Sequence, residues 1–303
     1  MNLEMPVIFD LDEHPLTGLL CGKLPGELGY VNARQFPDGE SYLRIETSVK
    51  GRQCIIVTEF SHSNGKFLPF AFLASTLKEL GAISVGLVAP YLGYMRQDYR
   101  FNSGEVVTSR IFAELLSQQV DWLITLDPHL HRYHSLNEIY TIPSKVVGGA
   151  SLIAEWLGSV KNVFLVGPDL ESMQWVSEIS SQCGHEFVIG EKQRLGDREV
   201  VVSLPDLSKF AGMTAIIIDD VISSGHTILE CIKSLRAAGT KSIICACVHG
   251  VFADDSDKLL VSAGLKSLIS TNTIPHETNR LDVSGVLLSP INECLQLYTE
   301  VVI

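Results

Sequence analysis

Short apolar runs that end abruptly in polar loops recur along the chain, and the clearest is AIIIDDVISSGHTIL at residues 215–229. Ala215 to Ile218 lead straight into Asp219 and Asp220. A Ser-Ser-Gly-His-Thr turn follows, and Ile228, Leu229, Ile232 and Leu235 then recur at helical spacing. The pattern predicts a buried parallel strand, a tight loop and a helix N-terminus. Such a junction lies at the carboxyl end of a strand in an open α/β sheet, where ligands bind. Loop N–H groups and the helix dipole suit a phosphate. The two carboxylates suit hydroxyls or a metal ion.

The pattern occurs twice. GRQCIIVTEFSHSNGKFL (51–68) lies over GMTAIIIDDVISSGHTIL (212–229), and LKELGAISVGLVAPYLGY (77–94) lies over SLRAAGTKSIICACVHGVF (234–252). A repeat this long predicts a duplicated domain rather than a solenoid, and its strand–helix–strand order predicts a parallel α/β sheet in each copy. The copies differ at the junction. Thr58-Glu59 stands where the second half has Asp219-Asp220, and Asn64-Gly65-Lys66 where it has Gly225-His226-Thr227. The grip for sugar and phosphate is therefore expected intact only in the second half. The NGK tripeptide lacks the earlier glycine of a Walker loop, and that reading is rejected.

The domain boundary is expected near PSKVVGGA (143–150), giving domains 1–146 and 147–303. The tail 284–303 reads as an apolar strand, VSGVLLS, and a short amphipathic helix, INECLQLYTEVV, with no indication of which domain it packs on. Three more polar loops follow apolar runs. YLGYMRQDYRFNSGEVVTSR carries Arg96, Gln97, Asp98 and Arg100; TLDPHLHRYH carries Asp127, His129, His131 and His134; LVGPDLES carries Asp169. In a parallel sheet these strand ends can converge on one crevice with 219–227. Simpler readings stand beside that one. The histidines could form a zinc site or sit at the surface, and Arg96 and Asp98 could be a solvated ion pair. GEKQRLGDREVVV (190–202) reads as a long hairpin or a closing lid that carries Lys192 and Arg194.

Composition narrows the partners. Net charge is −12 over 303 residues with no basic run, which argues against duplex nucleic acid. No apolar run approaches membrane length, and the N-terminus lacks a signal pattern. The seven cysteines are scattered, with no CxxC pair, so they read as reduced thiols and the compartment as cytoplasm. Cys245 and Cys247, two apart, are expected on one buried strand face.

Taken together in this order, FPDGESYLRI (36–45), PYLGYMRQD (90–98), LDPH (126–129), GPD (167–169), EKQR (191–194), IIIDDVISSGHT (216–227) and STNTIPH (270–276) identify a resemblance. The chain resembles the ribose-phosphate pyrophosphokinases, or phosphoribosyl pyrophosphate synthetases, over nearly its whole length. NSGEVVTSR and Ser223 resemble the archaeal-type branch. The resemblance implies an α/β fold of two tandem phosphoribosyltransferase-like domains, each with a mainly parallel sheet flanked by helices. It implies pyrophosphoryl transfer from ATP to ribose 5-phosphate with magnesium.

Residue by residue, it implies that Asp219 and Asp220 hold the ribose hydroxyls and Ser223, Ser224, Gly225, His226 and Thr227 the 5-phosphate. Arg96, Gln97 and Asp98 would line the ATP site, with His129 near magnesium and the ATP phosphates and Asp169 in the ribose–magnesium region. Phe36, Asp38 and Glu40 would form an adenine-binding loop lent by a neighbouring subunit, which implies a homo-oligomer of at least two copies and up to six. Lys192 and Arg194 would be the catalytic cations of a flexible loop.

Two departures fall on the acceptor side. Gly-His-Thr replaces the usual Gly-Gly-Thr or Ala-Gly-Thr, so His226 is expected to give up positive-φ freedom and add bulk. Leu170, Glu171 and Ser172 follow GPD where a glycine pair is usual. They leave open a larger acceptor such as ADP-ribose, and a non-catalytic regulatory relative is the further alternative. A phosphoribosyltransferase would need only one such domain and no ATP motifs.

Overall fold

The computed structural model describes residues 5–130, 132–194 and 200–299, with the side chains of Arg194 and Val200 outside the description. His131, one of the candidate histidines, and the hairpin tip 195–199 lie outside the described residues. The chain divides into two compact units: Met1–Val147 together with Val283–Ile303, and Gly148–Asp282.

The first unit runs β1 (Val7–Phe9), α1 (Pro15–Lys23), β2 (Glu27–Leu28), β3 (Val31–Gln35), β4 (Ser41–Ile45), β5 (Gln53–Val57), α2 (Ser63–Glu79), β6 (Ser84–Ala89), α3 (Thr108–Gln119), β7 (Trp122–Leu126) and β8 (Ser144–Val147). Its six-stranded sheet has the order β2-β1-β5-β6-β7-β8 with every pairing parallel, while β3 and β4 form a separate antiparallel ribbon. The apolar runs QCIIV, SVGLVA and WLITL are buried at every position. That is the expected burial for strands covered on both faces.

The second unit runs α4 (Ala150–Gly158), β9 (Val163–Gly167), α5 (Met173–Cys183), β10 (Phe187–Ile189), β11 (Glu191–Arg194), β12 (Val200–Ser203), β13 (Thr214–Ile222), α6 (His226–Ala237), β14 (Ile243–Gly250), α7 (Ser256–Ser262), β15 (Ser267–Thr271) and β16 (Asn279–Leu281). Its parallel six-stranded sheet has the order β10-β9-β13-β14-β15-β16, the same permutation as the first, and β11 and β12 make an antiparallel hairpin. Alternation along β13 sends Ala215 and Ile217 into one core cluster and Ile216 and Ile218 into another. Cys245 and Cys247 share one of those faces, fully buried, and all seven cysteines are free thiols.

Two expectations need revision. The strand at 215–218 continues through both aspartates to Ile222, because Asp219, Val221 and Ile222 still find partners in Cys247, His249 and Gly250 of β14. On its other side β13 loses its neighbour after Ile217, which pairs with Val166 of β9. The tail is one helix, α8 (Ser284–Leu297), and not a strand followed by a helix. Leu287, Ile291 and Cys294 recur at helical spacing and are buried. α8 belongs to the first unit, so the second ends at Asp282. Gln53 donates to Leu295 O at 3.0 Å, Tyr298 to Asp121 O at 2.9 Å, and Lys145 pairs with Glu293. Among the described residues no helix is long and apolar enough to cross a membrane.

Candidate active site

In both sheets the strand order reverses beside the unit's first strand, so a crevice opens above the carboxyl ends of β9 and β13, and likewise of β1 and β5. In the second unit this crevice collects carboxylates. Asp169 follows β9, and Asp219 and Asp220 stand on the part of β13 that outruns β9. Asp169 caps the short turn Leu170–Ser172, accepting from Glu171 N at 3.1 Å and Ser172 N at 3.3 Å. Asp220 N donates to Asp219 Oδ1 at 3.1 Å. Burial, then the charges of Asp220 and Asp169, push the Asp219 carboxyl well above the usual aspartate range.

The hairpin brings in a cation. Gly190 N donates to Gly167 O at 2.8 Å, and a Cβ on Gly190 would stand 2.8 Å from Pro168 O, so only glycine lets the stem pass this close. Two residues on, Lys192 Nζ bonds Asp169 Oδ2 at 2.9 Å, with both side chains largely buried. Arg194 ends the same strand.

Ser223, Ser224 and Gly225 link β13 to α6. Gly225 caps the helix with φ 71, and His226 is the first helical residue. The positive φ therefore falls on Gly225 and not on His226, whose backbone is ordinary helix. His226 is exposed, and Thr227 is half-buried in the first turn. Gly225 offers no side-chain cap, so the leading N–H groups of α6 stay open for an anion. Leu170 and Glu171 point their side chains outward.

The first unit's corresponding crevice carries an internal ion pair. Lys66, in the first turn of α2, bonds the buried Glu59 and lies 3.2 Å from Asp12 Oδ2. Burial pushes Glu59 up, but the hydrogen bonds from Lys66 and Ser61 outweigh it and hold the carboxyl below its usual range. A cavity of about 220 Å³ remains between this pair and the β3–β4 ribbon, lined by Asp12, Arg34, Tyr42, Thr58 and Lys66.

The remaining candidates also sit in the first unit. Asp127 and His129 take positive φ values of 29° and 55° after β7, a strained turn of the kind that gathers at functional sites. Arg96 is exposed, without a hydrogen-bond partner among the described residues. Asp98 does not pair with Arg96. Its buried carboxylate is bonded at 2.6 Å by Arg132, whose guanidinium also lies over Tyr99 and Phe101. Gln97 accepts from Thr108 Oγ1 at 3.2 Å. Phe36, Asp38 and Glu40 form the tip of the β3–β4 ribbon, with Gly39 at φ 91 and Arg34 over the Phe36 ring at 4.6 Å. No hydrogen bond, ion pair or ring contact among the described residues joins that tip to Arg96, Gln97 or Asp98.

Sequence reasoning misses Arg132, because in the TLDPHLHRYH loop the histidines are the stronger chemical signal. It also misses Ser256, which donates to Ser223 O at 2.7 Å from thirty-three residues away and carries no motif.

The model for the N-terminal domain of ribose phosphate pyrophosphokinase matches residues 7–119, and that for the phosphoribosyl transferase domain matches 135–283. The ribose-phosphate pyrophosphokinase of Methanothermobacter thermautotrophicus is 31% identical over 85% of this chain and 89% of its own length. That of Sulfolobus acidocaldarius is 32% identical over 87% of this chain and 91% of its own. In fold, the chain is similar to the crystal structure of phosphoribosylpyrophosphate synthetase from Mycobacterium smegmatis, with a TM-score of 0.84 at 24% identity, covering 96% of this chain and 99% of that one. With two like sheets, one crevice rich in carboxylates and relatives matched over most of their length, the chain belongs to the ribose-phosphate pyrophosphokinase family.

Proposed function

We infer that this protein transfers the pyrophosphoryl group of ATP to the anomeric hydroxyl of ribose 5-phosphate, giving phosphoribosyl pyrophosphate and AMP. The observation that carries the reading is the contrast between the two crevices. The second keeps Asp169, Asp219, Asp220, an uncapped helix N-terminus and Lys192, whereas the first has a single carboxylate, Glu59, at the matching strand end, paired with Lys66 of the helix that follows.

Each group then has work that its geometry suits. Asp219 and Asp220 accept hydrogen bonds from the ribose hydroxyls. The N–H groups of 223–227 hold the 5-phosphate. The anomeric oxygen forms a bond to the β-phosphorus and gives up its proton to solvent, the bond from that phosphorus to the α-phosphate oxygen breaks, and AMP leaves with the electron pair. Lys192 moves from Asp169 to the transferring group, with Arg194 beside it, and neutralises charge that grows in the transition state. Arg96, Gln97 and His129 line the ATP side, and Asp98, clamped by Arg132, positions that loop. The exposed ribbon tip Phe36–Glu40 suits a loop that reaches a neighbouring copy, so the protein works as a homo-oligomer, at least a dimer.

Among the described residues no three His, Cys, Asp or Glu side chains form a closed metal cage. Magnesium seldom needs one: it binds through one or two carboxylates, substrate phosphates and water. Asp169, a hard oxygen donor in a carboxylate-rich crevice, fits that role, with His129 as a further candidate on the ATP side. When bound, the ion spreads the negative charge of the phosphates. A cytoplasmic location suits seven free thiols. The comparisons do not favour the larger acceptor or the non-catalytic role.

The direct test is AMP formation from ATP with and without ribose 5-phosphate. AMP that depends on the sugar supports the reading, and ADP in its place overturns it.

A further inference from the structure

The loop that links β13 to α6 is held from behind by a residue that no motif marks. After β14 the chain takes three non-glycine residues into the left-handed region within four positions: Phe252 (φ 45), Asp254 (φ 55) and Asp255 (φ 57). Such backbone persists only where its surroundings over-determine it. Val251 N and Phe252 N both donate to Ile222 O, at 3.0 and 3.1 Å, which ties the segment to the end of β13. The Phe252 ring packs on His276 at 4.7 Å.

The outcome is that α7 begins against the loop. Ser256 is 2% exposed, and its Oγ donates to Ser223 O at 2.7 Å. A Cβ on Gly225 would stand 3.3 Å from Ser256 Cβ and 3.4 Å from Leu260, so α7 also walls the back of the turn. In a planar trans peptide the C=O and the following N–H point in opposite directions. Drawing the Ser223 carbonyl toward α7 therefore aims the Ser224 N–H away from α7, to the open side of the loop. That N–H has no hydrogen-bond partner among the described residues.

We propose that Ser256 is a positioning residue for the acceptor: its hydroxyl locks the Ser223–Ser224 peptide so that the Ser224 N–H faces the bound phosphate. This rests on the reading of 223–227 as the ribose 5-phosphate grip. Residues 252–255 set where α7 starts, and α7 sets the peptide.

The test is Ser256→Ala in the full chain. KM for ribose 5-phosphate rises about 3- to 10-fold, the range for one net hydrogen bond, while kcat and KM for ATP stay within about twofold. Calorimetric titration with ribose 5-phosphate alone weakens by the same factor. Ser256→Thr, which keeps the hydroxyl, brings KM back toward the parent value. An unchanged ribose 5-phosphate KM and affinity, or a fall in kcat with both KM values constant, overturns the proposal. Absence of sugar-dependent AMP in the parent protein would instead overturn the underlying activity, and the titration would still decide the role of Ser256.

Discussion

Asp219→Asn separates function from stability in this protein. Asp219 lies in a crevice with Asp220 and Asp169, and the cation bonded there is Lys192, held by Asp169. Burial and the two carboxylates push its carboxyl well above the usual aspartate range, so the folded unit binds that proton more readily than the unfolded chain. The sign follows. Below the unfolded value near pH 4, Asp219 is protonated in both states and costs nothing. As pH rises to the folded value, ionisation takes stability away, and the loss is complete above it. Asparagine keeps the Oδ1 acceptor for Asp220 N and removes the charge. It should stabilise the protein at pH 7 by about 1–3 kcal/mol, the scale of an incompletely compensated buried polar group. For a unit of this size, each kcal/mol moves Tm by roughly 3–5 °C. Calorimetric melting without metal or substrate, at pH 4.5 and 7.5, measures this. The variant should melt higher at pH 7.5, and the gap should shrink at pH 4.5. The same variant should bind ribose 5-phosphate poorly. Equal or lower stability at pH 7.5, or a gap that does not depend on pH, would refute the electrostatic account of the crevice.

Lys192→Ala should lower kcat about 10²- to 10³-fold with only a few-fold change in either KM, because its contact strengthens in the transition state; steady-state kinetics with unchanged kcat would sink that role. Lys66→Ala should destabilise the first unit by about 2–4 kcal/mol at pH 7, since it strands the buried Glu59 carboxylate. The Glu59 carboxyl is held below its usual value, so its contribution is present above about pH 4.3 and is lost on further acidification. Thermal melts that fail to converge in acid would contradict this.

Much of the fold could be read from the chain because burial on both faces leaves unbroken apolar runs such as CIIV and AIII, and because the two copies repeat them in the same order. The length of β13 could not, since the aspartates break its apolar run while the ladder to β14 carries on. VSGVLLS reads as a strand in isolation, and the helical spacing shows only when Leu287 is taken together with Ile291 and Cys294, beyond that run. At the candidate site, the carboxylates were legible because they interrupt an apolar run at a strand end, and Lys192 because it falls in a charged segment between two glycines. The placement of positive φ on Gly225 rather than His226 depended on where the helix begins, a boundary that sequence fixes poorly. Lys66 was visible as a departure, but its second partner, Asp12, is fifty-four residues away. Ser256 acts through a backbone carbonyl, and such a contact leaves no pattern in the sequence.

Pyrophosphoryl transfer requires that the β-phosphorus of ATP move to the sugar. ATP labelled with phosphorus-32 at the β position, incubated with the enzyme, magnesium and ribose 5-phosphate, tests it in one separation. Label is expected in the sugar product and none in the nucleotide monophosphate released. Label retained in ADP would show transfer of the γ-phosphoryl group alone and would rule out pyrophosphoryl transfer.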